Sequence, residues 1–348
     1  MFTTGKLKIF LAQNGIFIAL ILLVALFGIM NPNFLSLGNA ENILLQSVEL
    51  GLIALPLAFL VMTGSVDLSV GSIASAGAVT SGMVMASTGS AVLGIAVGVG
   101  FGLMAGAING FLVSFLGLNP IVVTLGFLSV WGGFALMLTG GKTVTRSDLP
   151  EDFREFGSAT VGPLPVQIIA LILAVAIAWY LLNRNSVGRR VLAIGGNGRA
   201  AFLMGIKVKQ TRFWLFVASG LFSSIAGMLL AAKVQSASPT LGSGMELHAL
   251  TVVLLGGVAF EGGVGRISGV IAGLLFFRVL RNGLVFMQAS PFLQTILVGL
   301  TLVVAVALDS SIQRIVKNSW AQLGKKAIDE DKPDQDEPED SSRVRLTV

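Results

Sequence analysis

Runs of about 20 apolar residues recur along most of this chain, and they constrain its fold more than any local motif. A run of that length crosses a bilayer as a helix, which satisfies its own backbone N–H and C=O groups where no water can. About ten such spans are read: 12–30, 49–63, 70–87, 91–115, 120–139, 165–183, 213–232, 247–260, 267–287 and 292–309. Glycines and short polar residues interrupt the third and eighth, either of which fits a broken or re-entrant helix as well as a plain crossing. The first follows Lys6 and Lys8 without an A-x-A cleavage site, so it is expected to be retained. The fold class expected is an all-α polytopic membrane protein, one transmembrane unit over residues 1–324.

Composition removes most chemistry. With 54% hydrophobic and 12% charged residues, no continuous stretch remains for a separate soluble domain. The chain has no cysteine, which excludes disulfides, thiol nucleophiles and thiolate metal sites. His248 is the one histidine, which excludes a histidine metal cluster, and with no motif around it a Ser-His-Asp arrangement is disfavoured. No enzyme activity, cofactor, metal or nucleic-acid partner is read from this chain.

Charge orients the spans. The connection from Asn183 to Phe213 carries Arg184, Arg189, Arg190, Arg199, Lys207, Lys209 and Arg212 with no acid, which places it in the cytoplasm by the positive-inside rule. On the other side, the 31–48 loop holds Glu41 and no base, and 140–164 holds Asp148, Glu151, Asp152 and Glu155 against Lys142, Arg146 and Arg154. Ten spans with a cytoplasmic N-terminus return Arg314, Lys317, Lys325 and Lys326 to the cytoplasm, so both termini are expected there. Residues 325–348, with eight acids in "DEDKPDQDEPED", read as a disordered, solvated acidic tail.

Two nucleotide-like patterns dissolve on inspection. Gly196, Gly198 and Ala201 spell G-x-G-x-x-A behind the apolar run Val191–Ile194, but no carboxylate for a ribose occurs between Glu155 and Glu246. Where that acid belongs, Phe213–Ala232 is a membrane-length apolar run. "GGKT" at Gly140–Thr143 lacks the first glycine of a phosphate loop, since Leu136 stands there, and it falls on the external side.

The two halves echo each other. Asp67-Leu68, Asn109-Gly110 and Pro120-x-x-x-Thr124 recur in order as Glu246-Leu247, Asn282-Gly283 and Pro291-x-x-x-Thr295. Five spans per half make this an inverted repeat, an architecture whose pathway forms where the halves meet. Gly94, Gly98, Gly102, Gly106 and Gly110 form one smooth helical ridge, repeated by Gly265, Gly269 and Gly273, and both are expected to serve close helix packing.

Asp67, in "TGSVDLSVGS", fits either an N-cap for a helix starting near Leu68 or a pathway carboxylate, and Glu246 allows the same two roles. With Ser69, Asn109, Asn119 and Asn282, these are the candidate translocation residues. Arg278 and Arg281, three apart on one helical face, are expected to meet protein, water or headgroups rather than lipid tails. A self-sufficient ion-coupled transporter using Asp67 or Glu246 is the alternative reading.

"TGSVDLSVGS" (63–72), "NPIVVTLGFLSVWGG" (119–133), "GRRVLAIGGN" with "AA" and "GI" (188–206), "GSGMEL" (242–247) and "RNGL" (281–284) resemble the permease subunits of bacterial ABC importers for ribose and related monosaccharides. The likeness runs in order over roughly residues 10–310. It implies a site in the bacterial cytoplasmic membrane and pairing with a second permease subunit. It also implies two cytoplasmic ATPase subunits that hold ATP and magnesium, and an external solute-binding protein. The ATPase-coupling element then lies in a cytoplasmic loop at about 184–212, with Gly188, Arg189, Arg190, Gly195, Gly196, Asn197, Ala200, Ala201 and Gly205 as its residues. The chain departs from the common pattern at His248, Val264, Arg278 and the pair Gly198-Arg199.

Overall fold

In the computed structural model, residues 4–307 are described, and their architecture is helical. From the N-terminus, α1 (Thr4–Met30) leads through a 3-10 turn to α2 (Leu37–Met62), α3 (Val70–Thr88), α4 (Ala91–Ser114) and α5 (Pro120–Thr139). A short α6 (Glu151–Phe156) and a two-residue-per-strand hairpin, β1 (Thr160–Val161) with β2 (Leu164–Pro165), precede α7 (Val166–Asn183). Two short helices follow, α8 (Ser186–Gly196) and α9 (Gly198–Leu203). Then come α10 (Val208–Val234), α11 (Met245–Leu255), α12 (Ile267–Phe286) and α13 (Pro291–Ala307).

Seven of these, α2, α3, α4, α5, α7, α10 and α12, are long and apolar enough to cross a membrane. The apolar part of α1 at Asn14–Met30, α11 and α13 are shorter. The eighth expected span is therefore corrected: at about 1.5 Å per residue, α11 covers roughly half of a 30 Å hydrocarbon layer. The helix stops where Gly256, Gly257, Gly262 and Gly263 take over, three of them with positive φ. The second span is corrected too. Its helix starts at Leu37, because Ser36 Oγ caps the Asn39 N–H and the polar residues that obscured the start are satisfied inside the protein. Asn39 donates to the Phe34 carbonyl at 2.8 Å and Ser47 to that of Ile43 at 2.7 Å. The third expected span is one unbroken helix, α3.

At the centre stands α2, whose residues from Ser47 to Met62 are all buried. It packs against α7, α10, α11 and α12, while α10 packs against α3 and α4. The glycine ridge of α4 makes that last contact: a Cβ on Gly106 would meet the Phe216 carbonyl, and one on Gly220 would meet the Gly102 carbonyl. On α12, Gly269 and Gly273 lie against Gly256 and Val252 in the same way, whereas Gly265 precedes the helix and faces Met62. The described part of the bundle thus has one end bearing α8 and α9 and another bearing α6 and the hairpin, where Val144 and Ala237 pair their backbones at 2.9 and 3.0 Å. The acidic tail and Arg314, Lys317, Lys325 and Lys326 lie outside the described residues.

Candidate functional site

The basic connection at 184–212 folds as helix, not as strand, glycine turn and helix, so Val191–Ile194 offers no nucleotide-binding β-strand. Asn185 starts α8 by accepting the Val187 N–H at 3.1 Å, and Gly188, Val191 and Ile194 form its buried face. Arg189 and Arg190 lie on the exposed face. Asn197 breaks the helix in extended conformation and caps the next, its Oδ1 accepting from Arg199 and Ala200 at 3.1 and 2.9 Å. Ala201 is buried, and Gly205 closes α9 with φ +81.

The candidate coupling residues therefore separate into two kinds. Gly188 and Gly195 face inward: a Cβ on the first would strike the Leu182 carbonyl, and on the second the Met62 carbonyl and Gly263 backbone. Gly196 and Gly205 have open space beside them, and Ala200 is exposed. Three residues that sequence reasoning passed over lie at the tip: Phe202, Leu203 and Met204 are 68%, 78% and 84% exposed. The signal was three large apolar residues inside a basic stretch, which by sequence alone reads equally well as packing.

Gly195 sits at a junction of backbones. Gly263 donates its N–H to the Met62 carbonyl at 2.9 Å, and Arg212, in the first turns of α10, donates to the Thr63 carbonyl at 3.3 Å. Gly64, Gly262 and Gly263 all adopt positive φ there, which side-chain-bearing residues rarely do. So α8, α10 and the loop after α11 all hold the beginning of the segment between α2 and α3.

That segment carries Asp67. Its Oδ1 accepts from the Ser69 N–H at 3.0 Å and the Ser69 hydroxyl at 2.6 Å, and its Oδ2 accepts from the Ser219 hydroxyl of α10 at 3.0 Å. Asn109 of α4 donates to Ser69 Oγ at 2.8 Å. All four residues are fully buried. The cap residue of α3 is Ser69, so Asp67 acts two positions earlier than an N-cap and ties the helix start to α4 and α10.

The remaining candidates lie elsewhere. Asn119 is exposed and caps α5 by accepting from Ile121 and Val122 at 2.9 and 3.4 Å. Glu246 Oε1 accepts from the Gly244 N–H at 3.2 Å, and its carboxylate rests where a Cβ on Gly71 would be. Asn282 is buried within α12 with its Oδ1 unpaired, as is Asn109 Oδ1.

A family model described as "Branched-chain amino acid transport system / permease component" matches residues 39–306. The ribose import permease protein RbsC of Bacillus subtilis is 38% identical over 85% of this chain and 92% of its own length. The D-allose transport system permease protein AlsC of Escherichia coli is 35% identical over 88% and 94%, respectively. The galactose/methyl galactoside import permease protein MglC of the same organism is 33% identical over 86% and 95%. No solved structure matches the chain.

Proposed function

The chain belongs to the family of branched-chain amino acid transport system / permease components, and on that premise we propose that it forms the membrane path of an ABC importer for a monosaccharide or similar polyol. It is a transport component rather than an enzyme. The solute class comes from the ribose, allose and galactose named for its relatives. A wall of amides, hydroxyls and small residues suits a polyol, because it offers hydrogen bonds without holding the solute fast.

The observation that carries the driving mechanism is the construction of α8 and α9. They present an exposed apolar tip at Phe202–Met204, while Gly195 lies against the carbonyl that ends α2. In this reading the tip docks into a separate cytoplasmic ATPase that binds ATP and magnesium. Closure of the ATPase displaces α8 as a rigid element. The displacement passes through Gly195, Met62 and Gly263 to the Thr63–Ser69 loop, and from Asp67 to α4 and α10.

In this reading that end and both termini lie in the cytoplasm of a bacterial cell, which the seven bases of 184–212, unaccompanied by any acid, support. An external solute-binding protein then delivers at the opposite end, and a second permease subunit completes the path. We read α2–α5 and α10–α13 as inverted repeats. What supports this is that α10 packs on α3 and α4 as α2 packs on α11 and α12, and that Asn109 and Asn282 each bury an unpaired amide oxygen.

The ion-coupled alternative gains no support from the site. Both oxygens of Asp67 are engaged by serine donors, and Glu246 is engaged by the Gly244 N–H. Gentle purification from the native host tests the choice. A stoichiometric ATPase is expected. The chain recovered alone, with uptake driven by an ion gradient, overturns the importer reading.

A further inference from the structure

In the half of the bundle away from α8, basic side chains of α10 and α12 lie near a single buried carboxylate. Glu49 of α2 is 2% exposed, and its Oε1 accepts from Lys233 Nζ of α10 at 3.2 Å. That pair is the one ion pair among the described residues. Arg278 of α12 is near enough for its charge to interact with Glu49 and with Arg281, yet makes no ion pair with Glu49. Arg278 is 9% exposed, and its Nε is buried without a partner. His248, in the first turn of α11, lies beside the same two arginines, with its ring 5.1 Å from that of Phe277.

Glu49 is thus already paired with Lys233, and Arg278 lies between that carboxylate and a second arginine, Arg281. Burying a guanidinium whose nearby carboxylate is already paired with another cation is costly inside a membrane, where such groups gather at functional paths. Asn282 lies one turn beyond Arg278 on the same helical face, and its Oδ1 is a buried acceptor with no donor. A guanidinium binds carboxylate or phosphate oxygens, and an amide carbonyl accepts from a hydroxyl.

We propose that Arg278 and Asn282 form a binding site for an acidic sugar, its carboxylate taken by Arg278 and a hydroxyl donated to Asn282. The proposal rests on the importer reading and narrows its solute class. A lipid phosphate offers the same anion chemistry. The interior location of Glu49, Arg278 and Asn282 among packed helices favours the solute.

The test uses the full chain in phosphatidylcholine nanodiscs, with D-glucuronate and D-galacturonate compared with D-glucose and D-galactose at matched ionic strength. The uronates should raise the unfolding midpoint by about 2 °C or more through preferential binding to the folded state, and the neutral sugars should not. Arg278→Met should abolish the difference. Arg278→Lys, which keeps the charge and loses the fork, should raise the half-saturating concentration by about tenfold and serves if the methionine variant does not fold. Equal response to acid and neutral sugars, no response, or a response unchanged in both variants overturns the proposal. Stabilisation by phosphatidylglycerol without any uronate effect assigns the anion to lipid and also overturns it. Recovery of an ATPase with no uronate effect removes this inference alone, whereas a uronate effect without an ATPase removes the importer reading alone.

Discussion

Gly263 and Met62, far apart in sequence, meet through a backbone hydrogen bond of 2.9 Å, and Gly195 of α8 lies against both. This contact joins the helix proposed to face the ATPase with the end of α2, from which the Asp67 segment departs. Backbone-to-backbone contact has no side-chain rotamer to absorb a push, so the proposed displacement of α8 would be passed on rather than dissipated.

Gly195 and Gly196 should therefore behave differently when each is changed to alanine. The new methyl at 195 collides with the Met62 carbonyl and Gly263 backbone, and should cost about 1–3 kcal/mol of stability as overpacking does. The methyl at 196 meets nothing and should leave stability within about 0.5 kcal/mol. Thermal unfolding of the two purified variants distinguishes them, and equal midpoints would remove the junction from the mechanism.

Changing Phe202 and Leu203 together to serine should spare folding and disable coupling. Both side chains are largely exposed, so insertion and the unfolding midpoint should stay near those of the parent chain. If they anchor an ATPase, its retention on the purified permease should weaken by about tenfold or more, the size of an interface hot spot. Quantified co-purification reads this, and undiminished retention would place the docking surface elsewhere.

Asp67→Asn should destabilise the bundle by about 1–3 kcal/mol, the cost of leaving a buried polar group unsatisfied. An amide offers one acceptor oxygen where the carboxylate offers two, so either Ser69 or Ser219 loses its acceptor. Ser219→Ala should produce a smaller loss, and adding it to Asp67→Asn should cost less than the sum of the two. Strict additivity in that cycle would show that the two residues do not act together.

At the other end, Asp148 holds the 3-10 turn that begins at Arg146. Its Oδ2 accepts from the Thr145 N–H at 2.9 Å and hydroxyl at 2.6 Å, and these bonds hold its carboxyl below the ordinary value of 3.8. A depressed folded value means that its stabilising contribution is present above the ordinary range and lost as pH falls through the folded value. The amide protection factor of Thr145 should be steady at neutral pH and fall only in the acid range. A decline beginning near neutrality would contradict this assignment.

Much of the helical organisation was legible because lipid imposes one rule on every crossing segment: bury no unpaired backbone group and expose no charge to hydrocarbon. That rule writes itself into runs of apolar residues, as at 91–115 and 120–139, where expected spans and observed helices nearly coincide. It failed at Leu37–Val48, where protein rather than lipid satisfies Asn39 and Ser47. It also failed at 247–260, where apolar composition conceals a run of glycine turns with positive φ.

The candidate site was legible as a set of residues but not as an arrangement. The motifs marked Asp67, Ser69 and Asn109, and the fold joins them in one network. Nothing in the chain order announced Ser219, which lies 152 residues from its partner Asp67. Nor did it separate Asn119, an exposed cap, from Asn282, a buried amide.

Apolar run length, a property local to the chain, by itself marked a polytopic membrane protein, and the motifs in their order carried its resemblance to permease subunits. Only the tertiary structure decided which glycines of α8 meet backbone and which meet open space, and which cations gather around Glu49. Those outcomes depend on helices brought together from distant parts of the sequence, where a contact of a few ångströms determines whether a polar or glycine position is packing, cap or site.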